Sequence, residues 1–116
     1  MNSRLLVALV AANTFANPAS AHAFLKRAHP SAGAALAGAP KSVTLAFTEK
    51  LEPAFSGVTV TDSAGHNVAA GAAIVDGVSI VVPLRPLSRG AYRVSWRAVS
   101  CDKHRTEGSY NFTVSR

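Results

Sequence analysis

One cysteine, Cys101, stands in the 116 residues, so no disulfide can close within the chain and stability has to come from packing. The only methionine is Met1, which leaves no thioether cluster. Carboxylates are scarce: six Asp and Glu stand against twelve Lys and Arg, for a net charge of +6. No Ser/His/Asp nucleophile pattern, glycine-rich phosphate loop or pair of catalytic carboxylates appears, which argues against the common hydrolase and phosphoryl-transfer classes. The first apolar run, Leu-Leu-Val-Ala-Leu-Val-Ala-Ala at residues 5–12, is too short to span a bilayer, and no second run follows to stop transfer.

What surrounds that run gives it a meaning. Arg4 precedes it, and Pro18 and then Ala19-Ser20-Ala21 follow, which is the order of a secretory signal peptide with an Ala-x-Ala cleavage site. Residues 1–21 are therefore expected to be removed after Ala21, leaving a single domain, residues 22–116, that begins at His22. Its 95 residues suffice for one modest core. Eleven basic and six acidic residues remain, a charge of +5. An exported chain does not meet nucleic acid, so this charge is expected to serve solubility or a loose attraction to anionic envelope surfaces.

An amino-terminal histidine is a chelator by itself. The free α-amine has a pKa near 8, so a metal displaces its proton at modest cost, and the ring nitrogen closes a chelate on the same ion. Ala23 follows rather than proline, so its amide is a further nitrogen donor. Nitrogen donors in a flat arrangement suit Cu(II) best among the common divalent metals. Phe24 and Leu25 are apolar enough to anchor this end to a core.

The rest of the chain alternates with period two. Val43, Leu45 and Phe47 oppose Ser42, Thr44, Ala46 and Thr48; Val58 and Val60 alternate with Thr59 and Thr61. Asp62-Ser63-Ala64-Gly65 is a turn, Val75-Asp76-Gly77-Val78 is a hairpin signal, and Ile80-Val81-Val82 is a short apolar strand. Tyr92, Val94, Trp96 and Ala98 point inward with Arg93, Ser95 and Arg97 outward, and Tyr110, Phe112 and Val114 mark the last strand. The Ala/Gly stretch at residues 32–39 reads as a connector. About seven short strands and no helix predict an all-β, immunoglobulin-like antiparallel sandwich, with a small barrel as the alternative.

Between the last two strands lies Ser100-Cys101-Asp102-Lys103-His104-Arg105. In extended chain, residues two apart share a side, so Asp102 and His104 would present a carboxylate and an imidazole together while Lys103 faces away. That is half of a metal site, one oxygen and one nitrogen. The alternative is a hairpin turn in which Asp102 bonds its own backbone.

Taken in order, His22-Ala23-Phe24-Leu25, His29-Pro30-Ser31, Ala39-Pro40, the strand from Val43 to Glu49, the Pro86-to-Trp96 stretch, Asp102-x-His104 and the Gly108-to-Val114 stretch resemble the CopC family of periplasmic copper-binding proteins, also called PcoC and YobA. The resemblance implies a cupredoxin-like or immunoglobulin-like barrel holding one Cu(II). It implies His22 as ligand by amine and ring, His104 by its ring and Asp102 by its carboxylate, with Glu49 of the Phe-Thr-Glu motif a weak or outer ligand. It also implies a monomer without membrane insertion that sequesters copper or hands it to a multi-pass inner-membrane protein of the CopD kind. Where the family usually has glycine between Asp and His, this chain has Lys103. Some members carry a methionine-rich Cu(I) segment; here Met1 leaves with the signal peptide, so reduction should favour release from oxygen and nitrogen donors.

Other classes compete. Cys101-Asp102-Lys103-His104 has the Cys-x-x-His spacing of some blue-copper electron-transfer proteins, with His66 as the upstream histidine; their usual nearby methionine is replaced by Gly108-Ser109. The ordinary expectation for Cys101 is a small, partly buried side chain. A polysaccharide monooxygenase also uses an amino-terminal histidine, but 95 residues leave little substrate platform and Asp102 would stand where oxygen must bind. A metal-free interaction domain would share only the fold, with His29, Arg93 and Arg97 as plain surface. The expectation is a binding protein, not an enzyme.

Overall fold

The computed structural model describes residues 24–116, so the segment 1–21 and His22 lie outside the described residues. Eight strands form: β1 (Leu25–His29), β2 (Ala35–Leu36), β3 (Ser42–Phe47), β4 (Gly57–Asp62), β5 (Ile74–Asp76), β6 (Ser79–Pro83), β7 (Gly90–Val99) and β8 (Arg105–Val114). One sheet runs β1-β3-β6-β5 and the other β2-β8-β7-β4, and these are two separate layers, a sandwich rather than a closed barrel. Every pairing is antiparallel except β2 with β8.

The alternation read from the sequence becomes the core. Val43, Leu45, Phe47, Ile80 and Val82 of the first sheet meet Val60, Tyr92, Val94, Trp96, Ala98, Phe112 and Val114 of the second, all buried. Full burial of such a side chain contributes about 1.5–3 kcal/mol. The Phe47 ring lies 5.5 Å from that of Trp96 at 71°, edge to face, and bridges the layers. Tyr92, near the start of β7, stacks on Phe112 and donates its hydroxyl to the Ser88 carbonyl at 2.6 Å, the tyrosine corner of Greek-key sandwiches.

One local expectation is corrected, and one, the anchoring of Phe24 and Leu25 to the core, holds and is extended. The stretch at residues 32–39 is not a bare connector: Ala35 and Leu36 pair in parallel with Thr113 and Val114, because Gly33 adopts φ of 77° and lets the chain turn onto the last strand. Residues 25–29 do more than anchor an end; they form β1 at the edge of the first sheet, with a bulge between Leu25 and Arg27. Their sequence, Leu-Lys-Arg-Ala-His, hides this strand, since an edge strand needs few inward apolar side chains.

Candidate metal centre

Two segments leave their sheets at the same end of the sandwich. Residues 48–52 continue from β3 toward the short 3-10 turn Pro53–Phe55, and residues 100–104 join β7 to β8. Backbone bonds sew the two together: the Glu52 amide donates to the Val99 carbonyl at 2.8 Å and the Cys101 amide to the Lys50 carbonyl at 2.9 Å. Leu51, buried at 2% exposure, pins the first segment from inside and bridges to Ser100.

The Asp102–His104 stretch is not extended, which corrects the expected route by which the two side chains meet. The Lys103 amide donates to the Ser100 carbonyl and the Ser100 amide to the His104 carbonyl, each at 2.8 Å, closing a tight turn with Lys103 at φ of 76°. The organiser is Ser100, a residue the sequence reading did not single out. It is fully buried; its hydroxyl donates to the Asp102 carboxylate and accepts the His104 amide at 3.0 Å. Its one visible signal was register, since it continues the inward series of Tyr92, Val94, Trp96 and Ala98.

Asp102 and His104 are thereby brought together, with Oδ1 and Nδ1 3.0 Å apart. The Asp102 carboxyl is held below its ordinary value first by the Ser100 hydroxyl; partial desolvation opposes this, and the His104 ring and amide add to it. Glu49 joins them: one ligand atom from each of Glu49, Asp102 and His104 lies within 4.8 Å of the others, and all three residues are exposed. Two donors about 2 Å from one ion and at right angles stand about 2.8 Å apart, so the Asp102–His104 spacing suits neighbouring positions on a square-planar metal.

The amino-terminal end is fastened close by. The Thr48 amide, one residue before Glu49, donates to the Phe24 carbonyl at 2.9 Å, and the Phe24 ring sits 5.5 Å from that of Phe47. His22 itself lies outside the described residues.

The remaining candidates fall elsewhere. Cys101 is exposed, not partly buried, because alternation past the inward Ser100 turns it outward, and its thiol is not part of the Glu49–Asp102–His104 group. His66 belongs to the turn after β4, where its ring stands 3.6 Å from Asp62. His29 is exposed at the end of β1.

A family model described as the CopC domain matches residues 25–115. The copper resistance protein C of Xanthomonas campestris pv. juglandis is 43% identical over an alignment 117 positions long that covers 93% of this chain and 91% of that protein. Among solved structures, CopC from Methylosinus trichosporium OB3b superposes with a TM-score of 0.73 at 37% identity, covering 81% of this chain and 94% of that one. PcoC, a methionine-rich copper resistance protein from Escherichia coli, superposes with a TM-score of 0.68 at 42% identity, covering 79% and 97%.

Proposed function

The chain belongs to the CopC family, and from that premise we propose that it is an exported, periplasmic protein of copper resistance that binds one Cu(II) per chain and catalyses no reaction. The ligands in this reading are His22 by its α-amine and ring, His104 by its ring and Asp102 by its carboxylate, with Glu49 as the weaker outer oxygen. The observation that carries it is the meeting of Glu49, Asp102 and His104 beside the fastened Phe24. His22 is two residues from Phe24, a reach of about 7 Å of chain.

Each residue has a separate task. Ser100 holds the carboxylate ionised and sets the turn, so both donors are in place before an ion arrives. Glu49 adds negative charge at the edge of a basic protein, which favours a dication. Exposure of all three side chains leaves the ion within reach of a receiving protein, and this supports handover to an inner-membrane transporter of the CopD kind. Reduction to Cu(I) weakens the hold of such hard donors and favours release. The blue-copper reading loses support, since the Cys101 thiol stands outside the donor group.

The test is a Cu(II) titration, followed by absorption and electron paramagnetic resonance, of protein verified to begin at His22. A second sample carries one extra residue before His22. One equivalent with a weak tetragonal nitrogen/oxygen spectrum is expected for the first, and about a hundredfold weaker binding for the second, which has lost the amine chelate. Equal affinity in the two samples, or an intense blue thiolate band, would overturn the assignment.

A further inference from the structure

A groove of about 420 Å³ opens beside the metal turn, lined by Ala54, Phe55, Arg97, Val99, Lys103 and Arg105. Its apolar part is Ala54, Phe55 and Val99; the turn Pro53–Phe55 buries none of its residues and Phe55 is 61% exposed. Its charged part is of one sign. The ion pairs among the described residues are both His–Asp, so Arg97, Lys103 and Arg105 have no carboxylate partner. Glu107, opposite Arg97 in the strand register, forms no ion pair with it, and Arg97 instead donates Nε to the Phe55 carbonyl at 3.1 Å, holding the aromatic turn against β7.

We propose that this groove docks an acidic segment of a partner protein, one that carries carboxylates on either side of an aromatic or aliphatic side chain. Three unpaired cations around Ala54, Phe55 and Val99 complement that chemistry, and arginine beside an exposed aromatic ring is the composition of interface centres. A concave groove suits a single chain segment better than the plane of a bilayer. Lys103 belongs both to the groove and to the turn that carries Asp102 and His104, so an occupant lies against the candidate metal ligands. Docking itself rests on the surface alone; its use for copper handover rests on the reading proposed above.

The probe is a short blocked peptide of glutamates around one phenylalanine, titrated into isotopically labelled protein and followed by amide shifts. The shifts are expected at Phe55, Arg97, Val99, Lys103 and Arg105, and about 0.5 M salt should weaken binding about tenfold. Arg97→Glu with Arg105→Glu should weaken it at least about tenfold, while the same charge change on β1, Lys26→Glu with Arg27→Glu, should leave it within about twofold. Thermal melts establish that both variants are folded. No binding, shifts spread over other faces, equal loss in the two variants, or displacement by phosphatidylglycerol vesicles alone would overturn the proposal. A Cu(II) titration of the same samples separates the two readings: the groove variant should keep its copper, and docking without any copper binding would sink only the copper assignment.

Discussion

Lys103 occupies backbone that suits glycine. At φ of 76° its Cβ crowds the neighbouring carbonyl, which costs a side-chain-bearing residue about 1 kcal/mol or more. The turn needs that conformation, because it swings the chain after Lys103 back so that the His104 carbonyl accepts the Ser100 amide and the His104 amide reaches the Ser100 hydroxyl. Lys103→Gly is therefore expected to raise stability by about 1 kcal/mol, a gain of about 4–8 °C in melting temperature for a domain of this size. A calorimetric melt showing no gain would mean that the left-handed turn carries no penalty. At this scale the sequence was partly legible. Asp102 and His104 could be named from their spacing and Glu49 from its motif, and a hairpin turn at Asp102 stood as the alternative to extended chain, which is what forms; the left-handed residue inside it was not legible, because a lysine gives no sign of such backbone. Ser100 was equally hidden, since a buried serine and a surface serine look alike until the register is known.

Strand content was legible wherever one face is buried and the other wet. β3, β4, β7 and β8 announce themselves by alternation and β6 by its apolar run after the Asp76-Gly77 turn, whereas β1, β2 and β5 are short or at edges and borrow their order from neighbours. The β7–β8 hairpin shows a constraint that alternation cannot reveal. Gly108 pairs with Trp96, and a Cβ at Gly108 would stand 2.8 Å from Cζ2 of the indole. The indole is held from inside by Phe47, so it has nowhere to retreat. Gly108→Ala should cost about 1–3 kcal/mol, read as a lower denaturant midpoint with an unchanged slope. An unaffected midpoint would show that β8 shifts freely over the ring.

A phenol adds a side-chain tie between the early and late segments that β2 and β8 already join. Tyr110 of β8 donates its hydroxyl to the Pro30 carbonyl at 2.7 Å, eighty residues away in the chain, and burial pushes its pKa up to about 12. The folded state thus favours the protonated phenol. Its contribution to stability is fully present below the unfolded value of about 10 and is lost as pH rises through 12. Denaturant unfolding across that window should show a steeper loss in the wild type than in Tyr110→Phe; parallel curves would mean that the phenol ionises without consequence. The bulge in β1 has a consequence of another kind. This strand is the outer rim of its sheet, kinked between Leu25 and Arg27 and carrying Lys26 and Arg27 side by side in solvent. A stray chain trying to extend the sheet there would have to follow the kink and lie beside two positive charges. The sandwich is thus guarded, along one open flank, against being zipped into a growing fibre.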